Sequence, residues 1–242
     1  RGQLYLFLVA LVTYFAGLLV WQERDSNCDE IHDAMPTPNW VAYASKFAAL
    51  TGALVLIMTV AMIAAIVVQA AHGYTRFQIG LYLKEIFLLD LFGFLMLGVL
   101  AFFFHVVSPN KYVGYFGFII FVIANAFLGA PLNLATLMVR FGDTPDYTYS
   151  DFYGYAPYVQ GLVWFSLYWG LAAVALSIAI VLLWPRGKET HLGQRFRQAA
   201  ARFQGVVKPI TAGVVLLWCA TAGWVFYNTK VLHKIEGPKD AK

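Results

Sequence analysis

The chain has 242 residues, 60% of them apolar, 17% aromatic and only 12% charged, with a mean hydropathy of +0.66. This composition excludes a soluble globular domain and a disordered chain, and marks an integral membrane protein. The net charge of +4 does not point to nucleic acid: the basic residues gather beside long apolar runs, where anionic lipid headgroups are the simpler partner.

A bilayer core of about 30 Å needs about 20 helical residues. Uncharged runs of that length fall at 2–22, 47–71, 112–139, 159–184 and 209–228, and a sixth at 86–107 is interrupted only by Asp90. The expected fold class is therefore all-α, a polytopic membrane protein of six transmembrane helices. Period-2 alternation, the mark of a membrane barrel, is absent. The first span begins at once and residue 1 is arginine, so further chain is expected upstream.

Between the first two spans lies "ERDSNCDEIHDAMPTPNW", residues 23–40, with five carboxylates against one arginine. Glu23, Arg24, Asp25, Asp29 and Glu30 form a helix-compatible polar run. Ile31, Ala34 and Met35 share an apolar side, and Pro36 and Pro38 end the run. Trp40 and Lys46 are placed to anchor the next span at the interface. A short amphipathic stretch, "HGYTRFQIGLYLKEIFLLD", leads into the third span, where Asp90 is the one carboxylate at membrane depth. A buried acid is a functional candidate by default, but the nearby Lys84 and Glu85 suit an interfacial position and simple pairing as well. Asn125 and Asn133 in the fourth span can hydrogen-bond between helices, which makes packing their first explanation.

The segment 186–208, "RGKETHLGQRFRQAAARFQGVVK", is strongly basic, whereas "DTPDYTYSDFYGYAP" before the fifth span has three aspartates and no base. The positive-inside rule places the basic segment in the cytoplasm. Six spans then put the acidic stretch and the "SPNKY" turn on the same side, and the tail 229–242 on the outer side. That tail carries four lysines, against the rule. Within 186–208, Leu192, Phe196, Ala199, Phe203 and Val206 form one apolar helical face, as in a connector helix lying on the membrane.

Histidines at 32, 72, 105, 191 and 233 show no ligand spacing, "PRGKET" lacks the glycine and hydroxyl of a phosphate-binding loop, and Cys28 and Cys219 lie too far apart for a disulfide. No metal, cofactor or catalytic residue is expected.

The acidic stretch resembles the corresponding segment of type-2 ABC exporter permeases: Glu23-Arg24, then Glu30, then Met35-Pro36, then Lys46 opening the next span. A closer resemblance is to large bacterial permeases fused to a zinc aminopeptidase-like domain, carried by "ERD…EIHDAMPTPNW", "GYTRFQIGLYLKE", "LLWPRGKET" and "WVFYNTKVL". It covers most of residues 21–232, and no zinc motif is present in this chain. The resemblance implies a permease half in the bacterial inner membrane, paired with a second half or a homodimer copy. It also implies that ATP sits on a separate ATP-binding cassette subunit. Coupling to that subunit would run through Glu23, Arg24, Asp25, Glu30, Asp33, Met35 and Pro36. Two other functions fit the same composition: an accessory structural subunit, or a membrane enzyme using Asp90, His105 or the asparagines.

Overall fold

The computed structural model describes residues 2–74, 77–127, 137–150, 152–186 and 192–232. The described residues are helical in the great majority, and the one β feature among them is an isolated bridge between Ser150 and Gly154. The chain is an all-α, multi-pass membrane protein: among the described residues, five helices are long and apolar enough to cross a bilayer.

Helix α1 (Gly2–Asp25) runs past its apolar stretch into the first charged residues. It stops because Asn27 takes a left-handed conformation (φ 55°), which Asn tolerates better than most residues. The Cys28 N–H then donates to the Glu23 carbonyl (2.9 Å) and the Asn27 N–H to that of Arg24 (3.2 Å), closing a Schellman cap. Helix α2 (Asp29–Ala34) follows, ending where Met35 adopts the extended backbone that a following proline imposes. The acidic stretch is thus two helices at an angle, where the sequence suggested one run.

Helix α3 (Asn39–Ala71) begins eight residues before the apolar run at 47, so Lys46 is inside it. Tyr43, Lys46, Leu50, Leu54 and Met58 form its buried stripe, while Leu56, Val60, Ile63 and Val67 face outward. Apolar residues on both faces belong to a helix whose outer solvent is lipid. Gly73 (φ 81°) terminates it in a second Schellman cap, with the Tyr74 N–H on the Gln69 carbonyl (3.0 Å).

The third crossing is one continuous rod of three parts: α4 (Ile79–Leu83), a π-helical segment Lys84–Asp90, and α5 (Leu91–Val107). Helix α5 is the centre of the molecule, packed by α1, α3, α6 and α7. Phe102 and Val106 are fully buried, and Tyr43, Phe47 and Phe102 form an aromatic cluster with centroids 5.7–6.0 Å apart. Ser108 Oγ caps α5 by donating to the Phe104 carbonyl (2.7 Å), and two residues later Asn110 Oδ1 accepts from the Val113 N–H to open α6 (Lys111–Phe127). "SPNKY" is therefore a tight helix-to-helix corner.

The fourth apolar run is not one helix. Residues 137–139 are in a turn, and 137–147 fold back against the bundle instead of continuing a rod from 112 to 139. Phe141 packs on Phe121 and Trp169 (centroids 6.3 and 5.1 Å), and the Tyr168 hydroxyl donates to the Met138 carbonyl (3.3 Å). Hydropathy does not distinguish such a packed irregular segment from the end of a span, because both are apolar.

Helix α7 (Ala156–Leu183) starts with Pro157 in its first turn, packs on α5 and pairs with α9 (Val207–Phe226), which continues as a π-helical turn Tyr227–Leu232. Between them lies α8 (Leu192–Arg202). The sequence pattern puts its arginines on the face opposite the apolar one, as in a helix lying on the membrane, but Arg195 is buried, donating to the Val106 carbonyl (2.8 Å) at the end of α5. Arg202 donates to the Leu182 and Trp184 carbonyls (3.0 and 2.9 Å) at the end of α7. Each guanidinium satisfies orphan C-terminal carbonyls and lies at the negative end of a helix dipole, so the cation turns inward. Phe196 and Val206 remain exposed.

Candidate functional site

Two places gather polar chemistry, one at each end of the bundle. At the basic end, Glu23 in the last turn of α1 forms an ion pair with Lys46 of α3 (2.7 Å), with His32 of α2 at 3.7 Å. Lys46 is drawn into the protein because it also donates to the Leu19 carbonyl (2.8 Å), and its ammonium lies over the Trp184 ring, 5.5 Å from the centroid. Asp25 pairs with Lys111 at the head of α6 (2.8 Å), and the Arg24 guanidinium covers the Trp21 ring at 5.2 Å. Arg186 donates to the Thr37 carbonyl, closing the segment between α2 and α3 from the other side.

Glu23 and Asp25 are thus engaged as clasps between α1, α3 and α6. Neither Glu30 nor Asp33 is without a partner. The stretch also offers apolar side chains outward: Ile31 is 73% exposed and Met35 43%, with Pro36 and the carboxylate of Glu30 exposed beside them. The Lys111 partner of Asp25 carries no sequence signal, since only the close return of α6 beside α1 brings it there. Lys46 is legible as the start of a span, but its ion pair is not.

At the opposite end a cavity of about 390 Å³ lies between α1, the π-helical entry to α5, α6, α7 and the 137–147 segment. Asp90 and Asn125 both line it, joined by Tyr5, Arg140, Asp143 and Tyr147. Asp90 is half-buried at the end of the π segment and is not free of partners. Asn125 clamps the re-entering chain: its Oδ1 accepts from the Phe141 N–H (2.9 Å) and its amide donates to the Phe141 carbonyl (3.3 Å). Arg140 and Asp143 pair at 2.9 Å, while the buried Arg140 Nε has no hydrogen-bond partner. Burial pushes the Asp143 carboxyl above its usual range and the neighbouring Asp146 adds to this, while Arg140 opposes both. Asn133 lies outside the described residues. The "RFGD" that supplies Arg140 and Asp143 reads in sequence as loop, and only the inward fold gives it a site.

Among the described residues no group of three or more histidine, cysteine, aspartate or glutamate side chains could hold a metal. Cys28 and Cys219 are free and exposed. His105 is buried against Gly114 of α6 with its ring edge-on to Tyr115 (4.7 Å); neither ring nitrogen has a hydrogen-bond partner. Compared with protein-family models, with curated proteins and with solved structures, the chain matches none.

Proposed function

We propose that this chain is the membrane half of an ABC-type exporter. It has six spans, α6 belonging to the fourth, and it pairs with a second permease half or with its own copy. A separate ATP-binding cassette subunit binds the ATP. The chain itself carries no catalytic residue and lies in a bacterial inner membrane, its basic end in the cytoplasm.

The observation that carries this reading is the construction of the α2 region. A short helix hangs between two spans with Ile31 and Met35 turned outward, and its base is clasped to three long helices through Glu23–Lys46 and Asp25–Lys111. A partner gripping such a helix would move α1, α3 and α6 together, and rigid-body tilt is a recurrent way of opening one side of a bundle while closing the other. The resemblance supports the same reading, since its Glu23 and Lys46 are the residues that meet. It also reassigns the acids: Glu23 and Asp25 fix the segment, and the contact surface is apolar with Glu30 and Asp33 beside it.

The test is purification of the full-length protein from its native membrane under mild detergent. An ATPase subunit should co-isolate, and its hydrolysis rate should rise in the presence of this chain. Ile31→Glu and Met35→Glu, which alter exposed side chains, should abolish that stimulation; a stimulated rate unchanged in both would refute the docking surface.

A further inference from the structure

The cavity opposite the basic end has features that no transport cycle requires. Its rim is formed by Leu6 and Leu88, 68% and 67% exposed, on helices whose outer faces meet lipid. It therefore opens sideways into the bilayer as well as toward the 137–147 segment. Its inner wall is apolar and aromatic, with Phe92, Phe94 and Phe121, and its floor carries the Arg140–Asp143 pair. A volume of about 390 Å³ falls within the ~300–1,000 Å³ typical of small-molecule sites.

We infer that this cavity binds a zwitterionic phospholipid, its phosphate on the Arg140 guanidinium, its ammonium facing the Asp143 carboxylate, and the first part of one acyl chain between Leu6 and Leu88. The reasons are complementarity of charge and shape. The Arg140 side chain is 41% exposed and meets Asp143 through one terminal nitrogen, so a phosphoryl oxygen in the cavity can reach the guanidinium with a charge-assisted bond. The ion pair is neutral as a unit, and the remaining ionisable groups on the lining, Asp90 and the phenols of Tyr5 and Tyr147, add no cation. Acidic acceptors beside a single guanidinium favour a head with donors as well as acceptors over a purely anionic one. An ammonium next to Asp143 would also hold ionised a carboxyl that burial drives toward protonation. The inference stands independently of the transport reading.

Gly93 provides a clean block. It lines the cavity, and a Cβ built on it meets no atom within 4 Å, so Gly93→Leu fills the space without a backbone clash and replaces a poor helix former with a good one. The full-length protein, equilibrated in mixed micelles of phosphatidylethanolamine and phosphatidylglycerol, is examined by native mass spectrometry. Wild type should retain one phosphatidylethanolamine per chain, Arg140→Gln should bind it about tenfold more weakly, and Gly93→Leu should lose it. Equal retention of phosphatidylglycerol, or undiminished retention in either variant, overturns the inference. Should a variant fail to fold, a photoreactive phosphatidylethanolamine on the wild-type chain decides: cross-links around Leu6 and Leu88 support the site, and cross-links confined to other surfaces refute it.

Discussion

Glu23, Asp25, Lys46, Lys111, Arg195 and Arg202 are held at one end of the apolar bundle by specific partners. Lys46 illustrates the energetics: its side chain is 10% exposed, a depth an ammonium reaches only if a carboxylate and a carbonyl wait there. Glu23→Ala is expected to destabilise the folded protein by about 3 kcal/mol, the lower end for breaking a buried pair, because Glu23 keeps 29% of its side chain exposed. Unfolding in detergent checks this, and the Glu23→Ala, Lys46→Ala double-mutant cycle isolates the pair. Asp143 gives a prediction of opposite sign. Its folded-state carboxyl titrates above the unfolded value, so its contribution favours the fold below the unfolded value and is lost as pH rises through the folded one. Arg140→Gln removes the one influence that lowers it, so the carboxyl should titrate at still higher pH. An infrared titration of the protonated carbonyl stretch, with Asp143→Asn to identify the band, reads the direction. Residue types were legible in the sequence here, but their partners were not: Glu23 and Lys46 lie in different helices, and Arg140 lines the cavity beside Phe141, which Asn125 holds.

At the scale of elements, the helix ends explain more than the helix middles. Helices α1 and α3 are apolar over most of their length and could run on; Asn27 and Gly73 stop them. Asn-Cys and Gly-Tyr after apolar runs are readable signals of this kind. The inward arginines of α8 are not, because the pattern of its apolar residues gives only the direction of its greasy face and says nothing of unsatisfied carbonyls on two other helices. Arg195→Met should free the ends of α5 and α8 from each other while leaving the spans intact. Limited proteolysis within 192–206 should then quicken several-fold, with overall helicity unchanged; equal cleavage rates would deny the cap its role. The fourth apolar run shows the limit of hydropathy. A 28-residue uncharged stretch from 112 to 139 is long enough for a tilted span, yet its described C-terminal residues are in a turn.

For the molecule as a whole, the described hydrogen bonds of Arg186, Arg195 and Arg202 all reach one end of the bundle: the approach to α3, the end of α5 and the end of α7. The acidic stretch and the "SPNKY" corner sit at the same end, joined by Asp25–Lys111. Two sites on opposite ends make orientation measurable. Cys28 is exposed at the basic end, and Phe152, 93% exposed, belongs to the other. In a Cys219→Ser background, an impermeant maleimide should label Cys28 only in inside-out vesicles. With Cys28 also replaced by serine, the same reagent should label Phe152→Cys only in right-side-out ones. The reverse pattern would invert the topology and remove the docking surface from the cytoplasm.

The sequence by itself determined the class of protein, the positions of most spans and the relation of its charged segments, because burying an ionised group in lipid is costly enough to write itself into composition. It also marked Asp90, Asn125 and the acidic stretch as places to look. Only the tertiary structure decided what those residues touch. It turned two of the acids into clasps, folded the end of an apolar run into the bundle beside Asn125, and assembled a cavity from five separate segments. Hydropathy is a property of each residue against its solvent, whereas an ion pair, a cap or a cavity is a property of segments brought together from far apart in the chain.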